Sequence, residues 1–278
     1  MLGAPGQLAG DLVHEGLRLG HEMIGLTQWE CDITDAAAVE RAISEVGPDA
    51  VINGAAWTQV DAAEEHEAAA EAVNATGAGF VAAACSAAGI RCCHVSTDYV
   101  FDGSTTEPIP ESAVAAPRSA YGRTKWHGEV AVRERCPDHL IVRTSWLYGR
   151  DGPNFVLTML RLAAERPQLR VVADQYGTPT WTGHLAPAML RLLEVGAPGT
   201  YHLTNSGVTT WYGLAVAAIR SRGLLTEVVP ITTAEYPTAA VRPAYSVLDN
   251  RAWRDLGEAP LPDWREGLWT YLATLDAG

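Results

Sequence analysis

Between residues 50 and 96 the chain reads Ala50-Val51-Ile52-Asn53, then AAAEAVNATGAGFVAAACSAA from Ala68 to Ala88, then Arg91-Cys92-Cys93-His94-Val95-Ser96. A short apolar run, a long Ala-rich stretch and a second apolar run make a strand–helix–strand unit, and such a crossover leaves its two strands parallel. The alternation recurs on either side. Runs at Met23–Leu26 and Leu140–Thr144 predict strands, and the stretches Leu8–Leu19, Ala36–Val46 and Ala120–Arg135 predict helices. Repeated units of this kind predict an α/β fold with a doubly wound parallel sheet covered by helices on both faces. After Tyr148 the order loosens into Gly- and Pro-punctuated segments such as DQYGTPTWTG and TAEYPTAAVRPAYS, which predict a smaller C-terminal domain over the carboxyl ends of the strands.

The totals exclude several classes. With 278 residues, 47% hydrophobic and 19% charged, the chain is neither disordered nor fibrous and is long enough for one large or two modest domains. Asp plus Glu is 33 against 20 Lys plus Arg, a net charge of −13, which argues against partners that need a positive field: nucleic acid and acidic membrane surfaces. MLGAPGQLAG has no signal-peptide character, and Ala68–Ile90 is too interrupted to cross a bilayer. Five cysteines without C-x-x-C spacing read as reduced core residues of a cytoplasmic protein, with neighbours Cys92 and Cys93 facing opposite ways. The eight histidines lack metal-ligand spacing, so no metal is expected.

Gly3, Gly6 and Ala9 form G-x-x-G-x-x-A at the start of the Leu8–Leu19 helix, where glycines admit a pyrophosphate to the positive helix end. The motif is short, and only Met1-Leu2 precede it. The expectation is therefore either an upstream start or a stunted first strand that weakens cofactor affinity. Further on, Tyr121 and Lys125 are four apart, on one helix face, where an ammonium favours the phenolate. Thr97 follows the Arg91–Ser96 run, at a strand's carboxyl end, where its hydroxyl can bond a reacting carbonyl oxygen. Glycine loop, strand-end Thr and Tyr/Lys helix occur in the order a nicotinamide-dependent carbonyl reductase requires. Residues 1–148 then read as a Rossmann-type dinucleotide-binding domain and 149–278 as mainly a substrate domain, with some segments returning to the first.

The segments GAPGQLA, CDITD, VINGAAWTQVDAAE, HVSTDYVFDG, YGRTKWHGE, RTSWLYG, NFVLTMLRLA, VVADQYGTPT, GTYHLTNSG, YPTAAVRPAYSVLD and DWREGL carry a resemblance along nearly the whole chain. It resembles the extended short-chain dehydrogenases/reductases and, within them, the dTDP-4-dehydrorhamnose reductase family. The resemblance implies reduction of the 4-keto group of a dTDP-4-keto-6-deoxyhexose by NADPH, with tolerance of NADH. Tyr121 would be the proton donor, Lys125 its partner and Thr97 the carbonyl hydrogen-bond donor. Gly3, Gly6, Gln7, Leu8, Asp32, Ile33, Ala55, Ala56, Trp57, Thr58, Tyr121 and Lys125 would surround the cofactor. Thr97, Asp98, Tyr99, Trp146 and Val60 would line the sugar-nucleotide pocket, and Arg242 is a guess for its phosphates.

Blander readings stand beside these. Asp32 could cap a helix, although Asp35 is the better-placed cap. Trp146 could be core, and Asn154 with Phe155 reads as a helix cap and staple. A 4,6-dehydratase would need an extra acid and base; Tyr99, not Glu, follows Thr97-Asp98. An epimerase stays open. So does a non-catalytic subunit, because the methionine adenosyltransferase regulatory subunit is similar to this family and can keep Y-x-x-x-K. Leu26-Thr27-Gln28-Trp29 holds no acid for a ribose 2′-hydroxyl and no Arg for a 2′-phosphate. A homodimer stays open too. A magnesium-bridged one is disfavoured: Asp11 sits near one expected position, but the C-terminal stretch offers only Asp276. Gly54, Ala239 and Val241 depart from the family's usual pattern, which leaves the sugar less secure than the reaction.

Overall fold

The computed structural model describes residues 1–276. Its main sheet is built from β1 (Ala50–Asn53), β2 (Arg91–Thr97), β3 (His139–Thr144) and a later strand, Gly199–His202, all parallel and adjacent in that order. Helices α1 (Gln7–Arg18), α2 (Ala36–Val46), α3 (Val60–Glu65), α4 (Glu67–Glu71), α5 (Ala78–Ala88) and α6 (Ala120–Arg135) alternate with these strands. Strand side chains alternate between faces, and both faces are buried. Ile52, Cys93, Leu140 and Val142 pack with Leu8 and Leu12 of α1. Val51, Cys92 and Ile141 pack on the other face with Val39, Val81 and Val132. Cys92 and Cys93 thus do face opposite ways, and all five cysteines are buried and unpaired.

Two predicted elements differ. Met23–Leu26 forms no strand: Leu26 makes a single parallel bridge to Leu2, and Leu2 makes another to Asn53. Because only Leu2 lies between them, nothing pairs with Met23, and a cavity of about 370 Å³ opens among Met1, Met23, Ile24 and Ala50–Ile52. Ala68–Ala88 is not one uniform helix: the turn between α4 and α5, Ala72–Gly77, is a π-helix.

The two bridges give a spatial order Leu26, Leu2, β1, β2, β3, so the chain reverses direction of travel across the sheet between Leu2 and β1. Ligands of such sheets bind at this reversal, outside the carboxyl ends of the strands. Beyond β3 come β4 (Leu147–Tyr148), α7 (Phe155–Glu165), β5 (Gln168–Val172), β6 (Tyr176–Gly177), β7 (Thr180–Trp181), α8 (Thr182–Val195), β8 (Gly199–His202), β9 (Thr209–Thr210), α9 (Trp211–Ser221), β10 (Glu227–Ile231), α10 (Arg251–Asp255) and α11 (Trp264–Asp276). Within this part, α8 contributes Leu185, Met189 and Leu192 to the core that also holds Leu12, and β8 joins the main sheet. A separate core of Tyr148, Val156, Leu214, Trp264, Leu268 and Tyr271 holds the rest together. Asn154 caps α7 by accepting the Leu157 amide at 3.0 Å.

Candidate active site

The reversal point is built for close approach. Gly3 has φ +91°, and a Cβ there would lie 2.6 Å from the Ala55 nitrogen. The Gly3 and Ala4 amides both donate to the Leu26 carbonyl, at 3.2 and 3.1 Å. Helix α1 begins at once, with Gly6 as its cap, no side chain on its first amides and no acid in its first turn. Free amides at the positive end of a helix favour an anion. Gln7 reaches from this turn to the Pro153 carbonyl at 2.6 Å, tying the loop to the second part of the chain, while its Oε1 is buried without a partner. These features fit a dinucleotide pyrophosphate.

The expected cofactor residues divide. Gly3, Gly6, Ala55, Ala56, Trp57 and Thr58 lie in the two loops that flank the reversal point, and Gln7 opens α1 beside them. Leu8 and Ile33 are core, 7% and 4% exposed, so their side chains are spent on packing. The Asp32 carboxylate accepts the Thr34 amide and hydroxyl at 2.9 and 2.8 Å, which holds it below the usual carboxylate range. Asp32 is thereby a turn cap, and Asp35 caps α2 through the Ala37 amide at 2.9 Å.

Three residues absent from the expected set hold this region. Asn53, buried at the end of β1, accepts the Ala55 amide at 3.2 Å and lies 3.3 Å from His94 Nδ1. His94 Nε2 lies 3.4 Å from Lys125 Nζ, which donates to the Val95 carbonyl at 2.7 Å. Burial, then the Lys125 charge, pushes His94 far below its ordinary range, so it is neutral. Asn74, in the π-helix, accepts the Trp57 amide at 2.8 Å and donates to Thr124 at 3.0 Å. Polar residues inside apolar stretches were the available signal; their partners lie 41, 31, 17 and 50 residues away.

Tyr121 and Lys125 both project from α6, which Ser119 caps through the Gly122 amide at 3.1 Å. Burial pushes Tyr121 up to about 12, partly offset by the neighbouring Thr97 hydroxyl. Burial brings Lys125 down to about 8. The first partners of Lys125 are therefore the β2 backbone and His94, not the phenol it is expected to tune. Thr97 ends β2, and its hydroxyl donates to Asp98 Oδ1 at 3.0 Å. Tyr99 packs edge-on against Tyr121, ring centroids 5.5 Å apart, so Thr97, Asp98, Tyr99 and Tyr121 form one cluster. One turn beyond Lys125, buried Glu129 accepts Ser96 at 2.6 Å and Arg143 at 2.8 and 2.7 Å, locking α6 to β2 and β3.

Trp146 stacks flat on Trp211, 3.6 Å apart and 6° from parallel, with φ +49° in its own backbone. Val60 opens α3 beside Asp61, whose carboxylate takes both Arg242 guanidinium nitrogens at 2.7 Å. Arg242 is thus neutralised by Asp61 rather than free. Asp11 accepts the Thr182 hydroxyl, which joins α1 to α8.

A family model described as the RmlD substrate binding domain matches residues 1–277. A dTDP-4-dehydrorhamnose reductase of Streptomyces griseus is 45% identical over 273 residues, covering 96% of this chain and 90% of that protein. The chain belongs to the dTDP-4-dehydrorhamnose reductase family. Among other similar proteins, a dTDP-4-keto-6-deoxy-D-glucose reductase of Streptomyces niveus is 43% identical, covering 99% of this chain and 96% of that one. The crystal structure of the Bacillus anthracis dTDP-4-dehydrorhamnose reductase in complex with NADP superposes with a TM-score of 0.96 at 37% identity, covering 98% and 97%. Membership in this reductase family fits the α/β reversal-point architecture. Among the described residues of this family member, no helix is long and apolar enough to cross a membrane, and no cluster of three ligands could hold a metal.

Proposed function

We propose that the chain reduces the 4-keto group of a dTDP-4-keto-6-deoxyhexose to the hydroxyl, using NADPH. The observation that carries this reading is the cluster of buried Thr97 and Asp98 with half-buried Tyr121 at the carboxyl edge of β2, beside a glycine loop whose Gly3 tolerates no side chain. The nicotinamide supplies the hydride when bound. Tyr121, kept protonated by burial, gives its proton to the alkoxide oxygen that hydride addition creates. Lys125, charged and fixed on the Val95 carbonyl, would hold a ribose hydroxyl and keep the cofactor in register with α6. Trp146, on its Trp211 platform, offers an apolar face and an N–H to the deoxysugar.

Preference for NADPH over NADH is supported by the turn after Leu26. Glu30 there, exposed, is folded back on its own turn and accepts the Thr27 amide at 2.8 Å, and Leu26 to Trp29 offer no acid for a ribose 2′-hydroxyl. The biosynthetic dTDP-4-dehydrorhamnose reductase relatives support a cytoplasmic site of action. The test is direct: incubate the protein with NADPH or NADH and the keto sugar nucleotide and follow the reduced nicotinamide's absorbance. Oxidation of NADPH dependent on both sugar and Tyr121 is expected. Absence of oxidation across a panel of 4-keto sugar nucleotides, or a large preference for NADH, would overturn the reading.

A further inference from the structure

Asp98 is 2% exposed, yet its Oδ2 has no hydrogen-bond partner. A buried carboxylate oxygen left unpaired is costly and calls for an explanation. The explanation lies in the single proton of the Thr97 hydroxyl. Thr97 Oγ1 accepts the Tyr99 amide at 3.2 Å and donates to Asp98 Oδ1 at 3.0 Å. With Asp98 ionised, that proton is committed to the carboxylate. Oγ1 then has no hydrogen left to give to a substrate. The Thr97 donor meant for the ketone is turned away from it.

Protonation of Asp98 reverses the bond between Thr97 and Asp98. The neutral acid donates to Oγ1, the Tyr99 amide fills the second lone pair, and the Thr97 proton has to point outward. The Thr97 hydroxyl can then join the Tyr121 hydroxyl on one oxygen, the arrangement that stabilises developing negative charge. We propose that Asp98 works in its neutral form as a positioning residue that aims the Thr97 hydroxyl at the carbonyl oxygen of the substrate. The proposal rests on the ketoreductase reading. The Asp98 proton is not consumed: Tyr121 alone protonates the product oxygen.

The surroundings favour that form. Tyr99 flanks the carboxyl on its own turn, Tyr121 faces it from α6, and Ser246 approaches from the segment after Arg242. No cation compensates it, because Lys125 is turned to Val95 and His94 and Arg242 is paired with Asp61. Burial pushes Asp98 up to about 6, against the opposing influence of the Ser246 and Thr97 hydroxyls. A sugar nucleotide closing over the cluster would displace water and raise it further.

The experiment is the pH profile of kcat/KM with NADPH and dTDP-4-keto-6-deoxyhexose. The wild type is expected to lose about tenfold per pH unit above a limb at or somewhat above pH 6. In Asp98→Asn an amide N–H donates to Thr97 at every pH, so the limb disappears and kcat/KM varies less than about threefold from pH 5.5 to 8. Ser246→Ala, which removes a neighbouring hydroxyl that favours the carboxylate, moves the limb upward, and this variant decides the matter should Asp98→Asn fail to fold. A wild type active without the limb, an Asn variant that keeps it, or an unmoved limb in Ser246→Ala would each overturn the role of Asp98. A wild type that oxidises no NADPH at any pH would instead overturn the ketoreductase reading itself.

Discussion

Fusing four β-branched apolar residues, Ile-Val-Ile-Val, ahead of Met1 should stabilise the protein by filling the cavity beside Leu2. The backbone there is already laid out as a ladder. Leu2 donates to Ile52 O at 2.9 Å and accepts from the Gly54 amide at 3.1 Å, Leu26 donates to Met1 O at 2.8 Å, and the Met1 ammonium reaches Ile24 O at 2.8 Å. One residue further back, a continuing strand would meet the Ala50 carbonyl and the Ile52 amide, and two residues back the Ile24 amide. It would also replace the half-buried ammonium, whose pKa burial lowers, by an ordinary peptide. Each added residue costs about 1–2 kcal/mol of backbone entropy. Burying its side chain returns about 1.5–3 kcal/mol, and a ladder bond about 1 kcal/mol. With side-chain ordering included, roughly 1 kcal/mol per residue remains, about 4 kcal/mol in all. At about 2–4 °C per kcal/mol for a chain of this size, Tm should rise by roughly 10 °C. Thermal unfolding followed by circular dichroism, with a Gly-Ser-Gly-Ser extension as control, measures it. NADPH titration should show tighter binding, because Gly3 is the next residue of the same strand. Equal melting of the two extensions would refute the strand-slot argument.

Removing the platform by Trp211→Ala should leave the indole of Trp146 unsupported at φ +49°, raising KM for the sugar nucleotide about tenfold while the NADPH Kd stays put; steady-state kinetics and cofactor titration separate the two. Glu129→Gln leaves Arg143 buried without its counter-charge and should cost about 3–5 kcal/mol in denaturant unfolding at neutral pH. Burial alone would raise the Glu129 carboxyl, but Arg143, Ser96 and Arg133 together hold it below the usual range, so its contribution is present at neutral pH and is lost only on acidification through that lowered pKa. Burial, then Arg143, pushes His202 down to about 3, and His94 is lowered likewise. The unfolded chain therefore binds more protons below about pH 6.5, and stability should fall on acidification from there, by up to about 1.4 kcal/mol per pH unit per histidine. His202→Gln should show a shallower acid limb in urea unfolding measured from pH 7 to 4.

The sequence by itself determined the layered architecture, because apolar runs separated by helix-length stretches leave only a parallel sheet buried on both faces, as Val51/Ile52 and Cys92/Cys93 show by dividing between two cores. It also put Tyr121 and Lys125 on one face of α6, since the period of a helix is local. What those groups touch was decided by tertiary structure. Lys125 meets His94 and Val95, Asn74 fastens the Trp57 loop to α6, and Trp146 finds Trp211, pairings that span 17 to 65 residues. No local pattern encodes such contacts; they exist only once the strands have aligned their ends. Asp32 is ambiguous in the sequence for a related reason, since a carboxylate before a helix serves as turn cap, ligand or both, and only the folded turn shows its bond to Thr34. Met23–Leu26 shows the reverse dependence. Its composition is strand-like, but a strand is a pairing, and beside Leu2 there is a partner for Leu26 and none for Met23.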